Sequence, residues 1–340
     1  MSDLPLNSLA DIRAAIASVP GPDETAAAAA AEREPQLTKP PGSLGRLEEL
    51  SGWLAAWQGR HPPHLEAPAA LVFAGNHGVT ARGVSAYPAE VTAQMVGNFE
   101  AGGAAVNQLC EAFHASLAVT ALDLDKPTRD FCDGPAMDEA DFAAAFSAGF
   151  SQVHGDMDVV CLGEMGIGNT TSAAAICHGL YGGEPADWTG PGSGVEGAQL
   201  VSKAGVVGNA VAGHREHLDD GLEVLRRLGG RELAAIAGAV VGARMRRVPV
   251  ILDGYVSSAA AVPLAKVDPG LLDHCQVGHA SAEPGHLKLL EQLGKVPLLQ
   301  LDMRLGEASG AVLALGVLRG AVHCHAGMAT FAEAGVTDKD

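Results

Sequence analysis

The chain has 340 residues, 47% of them hydrophobic, with 43 glycines and a formal charge of −18 from 22 basic and 40 acidic side chains. That length and apolar content suit a compact globule of about two domains. The acid excess argues against general binding to nucleic acid or to anionic membranes, so an anionic ligand would need donors placed for it.

In chain order, Asp3 and Asp11 precede the first basic residue, Arg13, and no basic, apolar, cleavable leader is seen. This predicts a cytoplasmic protein. Helices are expected from Ser8 to Ser18 and from Glu24 to Glu34, separated by Pro20-Gly21-Pro22. After Thr38-Lys39-Pro40-Pro41-Gly42-Ser43, a third is marked by Leu44, Leu47, Leu50, Trp53, Leu54 and Trp57 at helical spacing.

From residue 68 short β-rich runs alternate with longer helical ones, the pattern of parallel βαβ units. Six strands are predicted: Ala69 to Ala74, Leu117 to Asp123, Asp158 to Leu162, Pro249 to Asp253, Leu272 to Val277 and Leu298 to Asp302. Leu233 to Ala243 is the longest apolar helix candidate, too short to cross a bilayer, so no membrane span is expected. A small-residue helix from Ala308 to about Ala334 closes the chain. The expected fold is α/β, a Rossmann-like open parallel sheet of about six strands flanked by helices. Residues 1–66 and 307–340 form a smaller helical domain and 67–306 carry the sheet.

The loops that follow the predicted strands carry the chemistry. In an open α/β sheet a ligand sits at the carboxyl ends of the strands. Gly75-Asn76-His77-Gly78, Gly163 to Ser172, Gly254 to Ser258, Gly278 to Ser281 and Arg304-Leu305-Gly306-Glu307 should therefore line one crevice. The turn Gly163-Glu164-Met165-Gly166-Ile167-Gly168-Asn169-Thr170-Thr171-Ser172 joins a strand to a helix whose first N–H groups have no intrahelical acceptors, which suits an anion. It lacks the Gly-Lys-Ser/Thr of a P-loop and the spacing of a dinucleotide fingerprint. Glycines at such a turn can also serve close packing alone.

Thr189-Gly190-Pro191-Gly192-Ser193-Gly194 is a second cradle candidate, with Lys203 nine residues beyond it either turned back towards a phosphate or solvated on a helix face. Glu164 and Glu307 could act as bases if burial raises their pKa, or could cap backbone. The six cysteines show no paired spacing and read as reduced, packed thiols. His323-Cys324-His325 lacks a second ligand pair, so no metal site is expected. No serine elbow or cysteine in a basic setting supports covalent catalysis. The residues alone thus describe a site that positions a phosphorylated small molecule beside a proton-accepting glutamate.

Thr38 to Gly45, Gly83-Val84-Ser85-Ala86-Tyr87-Pro88 with Val91-Thr92-Ala93-Gln94-Met95, Gly163 to Thr171 and Arg304 to Glu307 together closely resemble the nicotinate-nucleotide dimethylbenzimidazole phosphoribosyltransferase family of cobalamin lower-ligand synthesis, over nearly the whole chain. The resemblance implies transfer of phosphoribose from nicotinate mononucleotide to 5,6-dimethylbenzimidazole, without metal or redox cofactor, by a homodimer. It implies Glu307 as the base and Glu164 as its partner on the ribose side. The nucleotide phosphate falls to Gly166, Gly168, Asn169, Thr170, Gly192, Gly194, Lys203 and Ser281. The flat base falls to Pro40, Ser85, Tyr87, Gln94 and Leu305. Asn76 departs from the aspartate, and Ala308 from the glycine, expected there. A non-catalytic nucleotide-binding protein is the rival reading, and a dinucleotide-dependent oxidoreductase a weaker one for want of the fingerprint.

Overall fold

The structure, a computed structural model, describes residues 6–337. Five parallel strands make one sheet in the order β2-β1-β3-β4-β5. They are β1 (Pro68–Ala74), β2 (Ser116–Ala121), β3 (Val159–Met165), β4 (Val250–Leu252) and β5 (Cys275–Val277). The reversal of strand order beside β1 is where an α/β sheet opens a crevice at its carboxyl edge.

Alternation along each strand explains why the runs are apolar throughout. Leu71 and Phe73 of β1, with Val160 and Leu162 of β3, join one buried cluster, while Ala70, Val72, Val159 and Cys161 join another on the opposite face. A sheet covered on both sides leaves no polar face to alternate with. The first face is covered by helices that include Glu139–Gln152, Asn169–Tyr181, Arg231–Arg246 and Tyr255–Val267, and the second by Arg46–Gln58, Ala105–Ala112 and Ser309–Gly327.

The helices Arg46–Gln58 and Ser309–Gly327, from the two halves of the chain, meet on that second face, whereas the first helix, Leu9–Ala17, packs in the other cluster. Leu50 and Leu54 share a cluster with Val312 and Leu315. Arg33 donates to the carbonyls of His325 (3.0 Å) and Met328 (2.9 Å), and the Thr38 amide to Ala329 (3.1 Å). The loop that ends in Glu307 is therefore anchored by the helix that follows it.

The predicted sixth strand is corrected. Residues 298–302 make only an isolated bridge, Leu299 beside His279, although the Leu298 and Leu299 amides still donate to Val277 and Gly278. Pro297 before the segment has no N–H to give, and Asp302 at its end has φ +54°, so the run cannot extend a ladder. The closing helix likewise stops at Gly327 and resumes only as the short turn Phe331–Ala334, capped by Thr330. No helix among the described residues is long and apolar enough to cross a membrane.

Candidate active site

A cavity of about 470 Å³ opens at the carboxyl edge of the sheet, lined from the ends of β3, β4 and β5, from Tyr87, Val91 and Met95, from Gly192 and Ser193, and from the loop before Ser309. Close backbone approach builds it. A Cβ at Gly163 in β3 would collide with the backbone nitrogen of Ala308, and one at Gly306 would lie 2.5 Å from Glu164 Oε1. Glycine at both places lets the Glu307 loop lie directly on the end of β3, where the Glu307 amide donates to the Glu164 carbonyl at 3.3 Å.

The Glu307 loop bends through left-handed backbone, with φ +87° at Gly306, +64° at Glu307 and +63° at Ala308. Such angles cost a side-chain-bearing residue about 1–2 kcal/mol, and the Ser309 hydroxyl and amide, both donating to the Gly306 carbonyl (2.7 and 3.0 Å), hold the loop there. Ala308 thus occupies a conformation that favours glycine, which is the physical meaning of that departure.

The Gly166–Thr171 turn is shaped by its own bonds. The Asn169 amide donates to Gly166 (3.1 Å), the Thr171 amide to Gly168 (3.0 Å) and the Ile167 amide to the Thr92 hydroxyl (3.2 Å), with Gly168 at φ +94°. Several of the donors that the sequence left for an anion are therefore engaged locally. Asn169 donates its side-chain amide to Glu164 Oε2, fixing that carboxylate. Across the cavity the Gly192 amide donates to Glu283 (2.9 Å), and Arg304 donates to the Gly192 carbonyl (3.1 Å).

Four carboxylates share this space: Glu164, Asp253, Glu283 and Glu307. Burial pushes Glu307 up to about 7. Burial likewise lifts Asp253 to about 7, against the backbone N–H groups at the start of the helix Ser309–Gly327, with the Ala311 amide donating to it at 2.9 Å. Glu164, fully enclosed and facing Asp253, Glu232 and Glu307, is held well above the usual carboxylate range. Glu283 is raised by burial and pulled back by Lys203, whose own ammonium is lowered by burial to about 8. The cavity therefore offers carboxyl groups poised near neutrality, able to take a proton or to face a developing cation.

Of the residues singled out in the sequence, Glu164, Gly166, Asn169, Thr170, Gly192, Ser281, Tyr87, Leu305 and Glu307 line the cavity. Lys203 stands behind the wall, donating to the Thr170 hydroxyl (2.8 Å) and the Gly190 carbonyl (2.9 Å). Ser85 sits at the rim through its bond to Ser193 (2.8 Å), and Gln94 is exposed on a helix whose Val91 and Met95 do line the space. Gly168 backs the turn, while Gly194 and the exposed Pro40 are not part of the lining. Asn76 is buried, donates to the Leu124 carbonyl (3.0 Å) and lies outside it.

Sequence reasoning placed the loops that carry Tyr255 and His279 at the crevice, where both line the cavity, but gave no part to Asp253 or Glu283. Asp253 did carry a signal: it is an acid at the end of an apolar strand, followed at once by Gly254. Among the described residues no group of three or more His, Cys, Asp or Glu side chains is placed to hold a metal, and His325 is taken up by Glu34 (2.5 Å) and His61 (3.0 Å).

Comparison with known proteins identifies the family. A family model described as phosphoribosyltransferase matches residues 19–336. The nicotinate-nucleotide-dimethylbenzimidazole phosphoribosyltransferase of Ruegeria sp. (strain TM1040) is 60% identical over 98% of either chain, and that of Sinorhizobium medicae (strain WSM419) 58% identical over 97%. The crystal structure of the Thermus thermophilus protein of that name superposes with a TM-score of 0.86 at 41% identity, covering 93% of this chain and all of that one.

Proposed function

The chain belongs to the nicotinate-nucleotide-dimethylbenzimidazole phosphoribosyltransferase family, and from that premise we propose how its site performs the transfer. The reaction moves phosphoribose from nicotinate mononucleotide to 5,6-dimethylbenzimidazole, giving α-ribazole 5'-phosphate and nicotinate in the lower-ligand branch of cobalamin synthesis. The observation that carries the mechanism is the meeting of Glu307, with a carboxyl pKa of about 7, and the Gly166–Thr170 turn in one cavity.

The donor's ring nitrogen is a pyridinium, so the glycosidic bond can break without an added acid: the bond electrons neutralise the ring as nicotinate leaves. The benzimidazole attacks the anomeric carbon from the opposite face through one ring nitrogen, which inverts that centre. Its other nitrogen must then lose a proton, and Glu307 takes it. Glu164, fixed by Asn169 beside Gly306, faces the positive charge that develops on the ribose. Thr170, Gly166, Gly192 and Ser281 hold the nucleotide, with Lys203 orienting the Thr170 hydroxyl. Tyr87 and Leu305, each 56% exposed at the mouth, offer apolar area to the flat base, with Ser85 and Gln94 at the rim.

Mixing the protein with both substrates should give equimolar nicotinate and a ribazole phosphate whose anomeric proton resonance is that of the α form. A β product, or hydrolysis to free ribose phosphate, would contradict the direct displacement.

The same reading makes the protein a cytoplasmic homodimer. Support for the dimer is β2, a sheet edge whose six residues are all exposed or only partly covered, so that its unpaired backbone groups are open to another chain. Sedimentation at micromolar concentration should give twice the chain mass; a monomer there would refute the dimer. A protein found with the membrane fraction of its cell would refute the cytoplasmic assignment.

A further inference from the structure

Behind the glycine turn lies a hydrogen-bonded chain that the transfer mechanism does not use. His77, from the loop after β1, places Nε2 on Glu232 and Nδ1 3.0 Å from the Ser172 hydroxyl. All three are buried, and none lines the cavity. A carboxylate only accepts, so Nε2–H donates to Glu232; in the neutral ring Nδ1 then accepts from Ser172, whose other neighbour is the Gly229 carbonyl at 3.5 Å. The connectivity is that of a hydrolytic triad, but Ser172 is fully buried and has no route to a substrate. Glu232 also belongs to the first turn of the helix Arg231–Arg246, where a carboxylate is favoured.

What this chain touches is the turn. A Cβ at Gly166 would stand 2.9 Å from Glu232 Oε1 and 3.3 Å from His77 Nε2, and one at Gly168 3.6 Å from His77 Cβ. Ser172 belongs to the first turns of the helix that the glycine turn opens. A Cβ at Gly230 would likewise collide with the imidazole. The His77–Glu232 pair, together with the Gly75 carbonyl 2.8 Å from the same point at Gly166 and the Thr80 methyl 2.8 Å from that at Gly168, sets the depth at which the turn's backbone sits, and the glycines are the residues that permit the contact.

We propose that Glu232, His77 and Ser172 are positioning residues for the donor's phosphate, holding the Gly166–Thr170 turn at the height where it meets that group. The inference rests on the assignment of this turn to the phosphate. Its chemistry predicts a selective effect: loosening the chain should harm recognition of a nucleotide and spare the same molecule without phosphate.

The test compares binding of nicotinate mononucleotide and of nicotinate riboside, by competition, to wild type, Glu232→Gln and Thr170→Val. Glu232→Gln keeps the side-chain shape and removes the charge, avoiding the unpaired buried charge left by deleting a partner. It should weaken the mononucleotide about tenfold, the scale of one charge-assisted hydrogen bond, and change the riboside less than about twofold. Ser172→Ala, which leaves the His77–Glu232 pair whole and frees only a neutral ring nitrogen, should weaken the mononucleotide selectively as well and serves if Glu232→Gln does not fold. Equal weakening of both ligands, or of neither, overturns the proposal when Thr170→Val remains phosphate-selective. If Thr170→Val is not phosphate-selective, the assignment of the turn itself falls, and the inference with it.

Discussion

At the level of single residues, the chemistry turns on where Glu307 titrates. A general base acts deprotonated, so with a pKa of about 7 the enzyme should lose activity as pH falls through 7, where an ordinary carboxylate would remain ionised to about pH 5. Lys203, lowered to about 8, gives up its third proton above that pH, and a neutral amine orients Thr170 and Gly190 less firmly. The profile of kcat/KM for the donor should therefore be a bell whose limbs lie near 7 and 8. Asp253, also near 7, could imitate the acid limb, and only a variant at 307 separates the two. Glu164, Glu307 and the glycines between them were legible because glycine-flanked acids at strand ends are unusual in sequence. Asp253 carried the same local signal, an acid at a strand end before Gly254, and was passed over; Glu283 was not legible, because what makes it special is burial among other carboxylates, which no local pattern records.

Among the elements, strands and helices were readable wherever burial is uniform. β1 and the Val159–Leu162 part of β3 are apolar because both faces are covered, and the sequence shows that as unbroken runs. β4 and β5 keep only three paired residues each, so their predicted ends ran too long. Helix contacts show a different use of glycine. The helices Glu139–Gln152 and Arg231–Arg246 cross with Gly149 against the Ala235 carbonyl, Gly238 against Phe146 and Gly242 against Phe150. An alanine at 238 would gain about 1 kcal/mol of helix propensity. It would also drive a methyl into the Phe146 carbonyl, which cannot withdraw without moving its helix, and such overpacking costs about 1–3 kcal/mol. Gly238→Ala should therefore lower the urea midpoint despite its better propensity; a raised midpoint would show that the two helices can separate freely.

Across the molecule as a whole, the α/β class and the placing of the site at one edge of the sheet were evident from strand-end loops alone. The strand count was not, since Leu298 to Asp302 has the composition of a strand and hydrogen-bonds to β5's continuation yet is stopped by Pro297 and by the backbone at Asp302. The fold then assembles one cavity from distant pieces: the end of β3 brings Glu164, and the helix Ser309–Gly327 packs on the sheet so that Glu307 is held against it. The claim that this juxtaposition performs the proton transfer is tested by the pH–rate profile of nicotinate release with Glu307→Gln beside wild type. The variant should bind nicotinate mononucleotide as wild type does, turn over at least about a hundredfold more slowly, the scale of a lost general base, and lose the limb near pH 7. A variant that keeps both the rate and the limb would mean that Glu307 is not the base.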